Sequence, residues 1–201
     1  MKSIFFFDVD TQRDMMSPKG ALYVPGAERT IPKLRKLFEF ARKHEVFVLS
    51  SADSHSAGDP EFQSLPPHCI AKSEGQLKID DTRFPRAMVL ENKPRDLNLL
   101  DAVKKNRQIV LEKQGFDPFD NPLTQRILRA LPPYAIVFGV PFEFSVKATC
   151  LGLRKQGIKA AIVSDAVRSL SPQTFDDTCA ELRKAGVEFI TLDALLEIPA
   201  V

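Results

Sequence analysis

The chain has 201 residues, 44% of them apolar, which is enough for one large domain with a sizeable core. Its 28 Lys and Arg residues nearly balance 26 Asp and Glu residues, and the net charge is +2. This balance argues against a nucleic-acid or membrane-surface partner. Three cysteines without paired spacing, no signal-peptide pattern at the start and no apolar stretch of 18 residues predict a reduced, cytoplasmic protein that does not span a membrane.

Strand-like and helical patterns alternate along the chain. The strand-like segments are residues 3–9, 46–49, 88–91, 108–112, 134–138, 159–164 and 187–192. The helical patterns are residues 30–44, 97–105, 122–131, 144–156 and 172–185. This alternation predicts an α/β fold, with a parallel sheet that carries helices on both faces, in a single domain of residues 1–201.

Polar groups follow four of the strand-like segments. They are Asp10, the loop of residues 50–70, Lys113 and Ser145 on the first turn of a helix. The carboxyl ends of parallel strands meet at one edge of a sheet, where α/β proteins place ligands and chemistry, so a functional site is expected there. Asp10 is a candidate general base, or a residue that caps the next turn. Lys113 is a candidate buried cation, or a lysine that reaches solvent.

The loop of residues 50–70 is long for a compact domain, and such loops are usually functional. It contains Asp53-x-His55 and, further on, His68, so two of the three histidines lie in it. Carboxylate and imidazole donors at this spacing suit a divalent zinc, manganese or iron ion. The alternative is that His55 and His68 are surface or capping histidines.

Five motifs in order resemble the isochorismatase-like hydrolases, and within them the nicotinamidase branch. The motifs are Asp-x-Gln-x-Asp at residues 10–14, Gly-Ala-Leu-x-Val-Pro-Gly at 20–26, Asp-x-His at 53–55 with Pro-Pro-His-Cys at 66–69, Lys113, and the segment of residues 139–149. The resemblance covers nearly the whole chain. It implies a three-layer α/β/α domain with a mostly parallel six-stranded sheet.

The resemblance also implies hydrolysis of the amide of nicotinamide or a similar small molecule. An Asp, Lys and Cys triad performs this reaction in the family, and its positions here are Asp10, Lys113 and Ser145. Asp53, His55 and His68 would hold a divalent metal that binds the pyridine nitrogen, and Asp59 or Glu61 would add a donor or position water. Family members are often dimers or tetramers, so a homo-oligomer is implied as well.

Two departures from the family pattern concern the chemistry. The nucleophile position holds Ser145, and a hydroxyl is a much weaker nucleophile than a thiol at neutral pH. The family has a cis peptide bond at the position of Val140-Pro141, where a backbone N–H helps to bind the oxyanion, and Pro141 has no N–H. Losing one such donor costs about 3 kcal/mol of transition-state stabilisation.

The substrate pocket is predicted from three residues. Met15 stands where the family tends to carry Phe, which indicates an altered pocket, and Phe119 and Phe142 follow strand ends and are candidate lining residues.

Two other functions remain open from the sequence. A non-catalytic relative that binds a small ligand or a protein partner would explain metal residues beside a damaged nucleophile. A phosphatase of the haloacid dehalogenase type is suggested by Asp8-Val9-Asp10 and Lys113, but Gln12 breaks its first motif and no acidic pair completes its fourth. It also leaves Asp53, His55 and His68 without a role.

Overall fold

The computed structural model describes residues 4–197. Its centre is one seven-stranded sheet in which every neighbouring pair of strands is parallel. The strands are β1 (Phe5–Val9), β2 (Val48–Asp53), β3 (Met88–Leu90), β4 (Gln108–Lys113), β5 (Tyr134–Gly139), β6 (Lys159–Val167) and β7 (Glu188–Ile190), in the order β3-β4-β2-β1-β5-β6-β7. The predicted parallel α/β fold is confirmed.

The expected count of six strands was wrong by one. Both edge strands, β3 and β7, have three residues each, and both pair with their neighbours. All seven strand-like segments of the sequence therefore enter the sheet.

Helices cover both faces of the sheet. They are α1 (Arg13–Met16), α2 (Ile31–Lys43), α3 (Leu99–Lys105), α4 (Thr124–Leu128), α5 (Lys147–Lys155), α6 (Pro172–Lys184) and α7 (Leu192–Glu197). Buried side chains of α3, α4, α5 and α6 form one core, and those of α1, α2 and α7 form the other. This is the three-layer arrangement that the alternating sequence pattern predicts. Within residues 4–197, no helix is long and apolar enough to cross a membrane.

Strand β1 lies at the centre of the sheet, between β2 and β5. Its five residues are all buried, because both faces of the strand are covered by helices. At its carboxyl end, Gly139 on β5 has φ +124°, and a Cβ there would lie 2.0 Å from the carbonyl oxygen of Val9. Glycine thus allows the ends of β1 and β5 to approach closely, just before the segment that carries Ser145.

Candidate active site

Three strand ends bring a buried lysine between two carboxylates. Lys113 ends β4, Asp53 ends β2, and Asp10 follows β1. The Lys113 Nζ atom lies 2.8 Å from Oδ2 of Asp10 and forms a very short contact with Oδ1 of Asp53. Lys113 and Asp10 are fully buried, and Asp53 is 6% exposed. One ammonium facing two carboxylates leaves this buried site with a negative charge, which favours binding of a further cation.

Asp10 is held in a defined orientation. Its φ of +48° lies in the left-handed region, which Asp tolerates better than most residues and which is enriched at functional sites. The Ser51 hydroxyl donates to its Oδ1 atom at 2.6 Å. The two carboxylate oxygens of Asp10 therefore have different partners, a hydroxyl on one side and the Lys113 ammonium on the other.

Burial and neighbouring charges have opposite effects on the pKa values of Lys113 and Asp53. Burial alone would lower the pKa of Lys113, but the carboxylates of Asp10 and Asp53 reverse the effect and raise it, so the lysine remains charged. Burial raises the pKa of Asp53 to about 6, with a smaller contribution from the charge of Asp10, although Lys113 opposes the change. A charged Lys113 stabilises nearby anions but does not accept a proton from Ser145.

Ser145 lies on a π-helical turn (Phe142–Val146) that precedes α5. The helix predicted for residues 144–156 thus begins with a wider turn, a feature that is frequent at functional sites. Lys113 Nζ donates to the Ser145 hydroxyl at 3.5 Å, a long contact. Ser145 is 1% exposed, and its carbonyl accepts a hydrogen bond of 2.7 Å from Thr149.

Asp53, His55 and His68 form a compact group of candidate metal ligands. All three are buried, and one ligand atom from each lies within 4.8 Å of the others. The Nδ1 atom of His68 lies 2.9 Å from the carbonyl oxygen of Pro66, so Nδ1 donates there and the Nε2 lone pair is left for a metal. The alternative that His55 and His68 are surface histidines does not fit their burial.

His55 supplies the observation that fits a metal best. Its Nδ1 atom lies 3.0 Å from Oδ2 of Asp59, a contact that fixes the proton on Nδ1. Its Nε2 atom is buried and makes no hydrogen bond. A buried imidazole nitrogen without a partner, beside a carboxylate and a second imidazole, is the donor set that zinc, manganese and iron prefer.

Asp59 and Glu61 take different positions around His55. Asp59 contacts the Nδ1 side of the ring, and its Oδ1 atom accepts a hydrogen bond from the Glu61 backbone N–H at 3.0 Å. Glu61 Oε2 lies 3.4 Å from the Nε2 atom of His55, on the side where a metal would bind. Asp59 is therefore placed to orient a ligand, whereas Glu61 is placed to add a donor.

Gln12 is a site residue for which the sequence analysis predicted no role of its own. Its Oε1 atom accepts from the Asp53 backbone N–H at 2.7 Å, and its Nε2 donates to the Asp53 carbonyl at 2.8 Å. The same Nε2 donates to the carbonyl of Gln76 at 2.8 Å. The glutamine of the Asp-x-Gln-x-Asp motif could have indicated this role, because a buried amide after a strand needs several hydrogen-bond partners.

The predicted pocket residues lie mainly among core side chains. Met15 is 2% exposed in the core beneath α2, and Phe142 is fully buried against Phe175. Phe119 packs so closely on α5 that a Cβ at Gly152 would lie 2.1 Å from its ring. A direct role for these three in substrate contact stays a prediction.

Phe116 and Phe144 form a pair of exposed rings that follow Lys113 and precede Ser145 closely in the sequence. Phe116 and Phe144 are 43% and 38% exposed, and their ring centroids are 4.9 Å apart. Phe144 directly precedes Ser145, and Phe116 follows Lys113 by three residues. The bond between Val140 and Pro141 is cis, and Pro141, which directly precedes the π-helical turn, has no N–H to donate.

Comparisons with known proteins identify the family and the fold. The isochorismatase domain family matches residues 5–194. Nicotinamidase from Escherichia coli (strain K12) is 24% identical over 211 aligned positions, which cover 92% of each protein. Pyrazinamidase of Pyrococcus horikoshii, solved in complex with zinc, gives a TM-score of 0.78 at 21% identity, covering 94% of this chain and 99% of that one. PnC1 from L. infantum, solved with nicotinate, gives 0.75 at 19% identity, covering 96% and 94%.

The phosphatase alternative is excluded by the family match and by the position of Asp8. The Asp8 carboxylate is paired with the Lys78 ammonium, whereas Lys113 contacts Asp10, Asp53 and Ser145. The family match extends over almost all described residues, and the parallel sheet has the expected form. The chain belongs to the isochorismatase family of hydrolases, and within that family it is similar to nicotinamidases.

Proposed function

We propose that this protein is a divalent-metal-binding amidase for nicotinamide or a similar small amide, in which Ser145 limits the rate of turnover. The observation that carries the proposal is the position of Lys113. Its ammonium contacts Asp10, Asp53 and Ser145, and so joins the triad positions to the metal-ligand group. The nicotinamidase relative and the nicotinate complex of PnC1 support a pyridine carboxamide as the substrate.

The reaction follows from the chain's own residues. Asp10 accepts the Ser145 hydroxyl proton, and the Ser145 oxygen attacks the carboxamide carbon. Lys113 holds Asp10 in place and stabilises the negative charge that develops at Ser145. Asp10 returns this proton to the amide nitrogen as the C–N bond breaks, so the nitrogen leaves as ammonia. Water then hydrolyses the serine ester, which releases the acid and regenerates Ser145.

Asp53, His55 and His68, with Glu61 beside them, would hold the metal. A bound divalent ion supplies a Lewis-acid contact that fixes the pyridine nitrogen of the substrate. Asp59 orients His55 by accepting a hydrogen bond from its Nδ1–H group, and Gln12 fixes the Asp53 backbone. These partners hold the ligands in place before the ion binds.

A second candidate is a non-catalytic protein that binds a small carboxamide or carboxylate in the same pocket. Two observations favour it. Ser145 carries a hydroxyl, a much weaker nucleophile than a thiol, and Pro141 contributes no oxyanion donor. Tight binding of nicotinamide without release of ammonia would support this candidate over the amidase.

The metal-ligand group gives a direct prediction. Replacement of His55 by Ala, or of His68 by Ala, is expected to weaken zinc binding by at least about 100-fold, because each imidazole supplies one of few ligands. The measurement is the zinc dissociation constant by competition with a chromogenic chelator.

The third histidine provides the matched control. His44 ends α2, and its ring packs on Phe40 at 4.4 Å between centroids. His44→Ala should bind zinc as the native protein does. Equal zinc affinity in all three variants would place the metal elsewhere, or show that the native protein has no such site.

A further inference from the structure

A second buried ion pair lies beside the site and has no part in the proposed reaction. Lys78 Nζ is 2.8 Å from Oδ2 of Asp8, and the side chains are 4% and 0% exposed. Asp8 also accepts hydrogen bonds from Thr11 at 2.8 Å and from Ser50 at 3.0 Å. Desolvation of two charges costs several kcal/mol per ion, so a buried ion pair is weak evidence for a role in stability alone. The contacts of Asp8 and Lys78 with neighbouring segments indicate a further role for the pair.

Lys78 is joined to the segment that follows Asp10. Gln12 and Lys78 form an antiparallel β-bridge. The Arg13 N–H donates to the Leu77 carbonyl at 2.8 Å, and the Ile79 N–H donates to the Thr11 carbonyl at 3.0 Å. The bridge therefore fixes the backbone of Gln12, whose side chain binds both backbone polar groups of the candidate ligand Asp53.

Lys78 also reaches strand β2. Its Nζ atom donates to the Ser51 carbonyl at 3.5 Å, and the Ser51 hydroxyl donates to Asp10 at 2.6 Å. Ser51 and Asp53 are two residues apart on β2, while Asp8 and Asp10 are two residues apart across the end of β1. The ion pair thus connects the strand ends that carry Asp10 and Asp53.

We propose that Asp8 and Lys78 are positioning residues whose ion pair holds residues 77–79 against the ends of β1 and β2, and so aligns Asp53 for the metal and Asp10 for Lys113. The inference rests on the proposed metal site. A charged pair with several hydrogen bonds is directional, whereas two apolar side chains of similar volume fill the same space without fixing this alignment.

Zinc affinity and stability together test the inference. The proteins to compare are native, Lys78→Met, and the double variant Asp8→Leu with Lys78→Met, each with zinc as the only ligand. Lys78→Met leaves a buried carboxylate unpaired, so its urea midpoint should fall. The double variant should recover that midpoint, yet bind zinc about 10- to 100-fold more weakly than the native protein.

Arg35→Met is the matched control. Arg35 on α2 is exposed and pairs with Asp81 at 2.6 Å, and Asp81 lies two residues beyond residues 77–79. This variant should keep the native zinc dissociation constant. A double variant that regains both stability and native zinc affinity would show that the pair is only structural, and would overturn the inference.

Asp8→Asn covers the case in which the double variant does not fold. It keeps the side-chain volume and one oxygen, which can still accept the Thr11 hydrogen bond that Oδ1 accepts in the native protein, but it removes the charge that pairs with Lys78. Weakened zinc binding in folded Asp8→Asn supports the inference, and native affinity overturns it. If the native protein itself binds no zinc, the proposed function fails together with the inference. If the native protein binds zinc and the folded variants bind it equally well, only the inference fails.

Discussion

Replacement of Ser145 by Cys is expected to raise ammonia release from nicotinamide by the zinc-loaded protein by at least about 100-fold. An unperturbed thiol has a pKa of about 8.5, far below that of a hydroxyl, and a neighbouring cation lowers it further. The ammonium of Lys113 lies 3.5 Å from the oxygen that the sulfur would replace. The measurement is a coupled assay of ammonia at neutral pH.

Ser145→Ala supplies the baseline for this comparison, because it removes the nucleophile and keeps the surroundings. Ser145→Cys that is no faster than Ser145→Ala, although it binds nicotinamide, would contradict the expectation. The low activity would then be attributed to Pro141, since a missing oxyanion donor costs about 3 kcal/mol of transition-state stabilisation. Native protein as fast as Ser145→Cys would show that the serine is itself an efficient nucleophile.

Replacement of Lys113 by Met is expected to lower the free energy of unfolding of the zinc-free protein by about 3–5 kcal/mol at pH 8. The change leaves Asp10 and Asp53 buried together without their shared cation. The pKa of Asp53, which burial already raises, should rise further, because the opposing charge of Lys113 is lost while the charge of Asp10 remains. The folded state then binds more protons than the unfolded state, so the loss should shrink as the pH falls toward 5.

Urea unfolding at pH 8 and pH 5 measures this effect. Lys105→Met is the control, because Lys105 forms an exposed pair with Asp101 four residues earlier on α3, and such pairs contribute little. If Lys113→Met lowers the free energy of unfolding equally at both pH values, then lost packing accounts for the effect and the two carboxylates do not. A comparable loss in Lys105→Met would also contradict the account.

Much of the fold follows from local sequence patterns. Strand β1 could be predicted because a near-continuous apolar run with three Phe is typical of a parallel strand that is buried on both faces. The alternation of elements is sufficient to predict helices on both faces. The convergence of Asp10, Asp53 and Lys113 follows from the same topology, since carboxyl ends of parallel strands share an edge. The sequence pattern alone does not tell how the edge strands β3 and β7 pair, because three residues give little periodicity.

Contacts between distant residues were harder to predict. Asp8 and Lys78 are 70 positions apart, and neither side chain carries a motif that indicates the other. The division of roles between Asp59 and Glu61 depends on which side of the His55 ring each carboxylate contacts, which spacing does not encode. The π-helical turn at Ser145 has no periodicity of its own, so a regular helix was expected there.

The most direct test of the central claim is calorimetric titration of nicotinamide into the zinc-loaded native protein, with the zinc-free protein beside it. If the metal ligands and Lys113 form one carboxamide pocket, nicotinamide binds at one site per chain, and the affinity falls sharply without zinc. No binding in either state, or equal binding in both, would contradict the claim that the metal group and the triad positions form a single site.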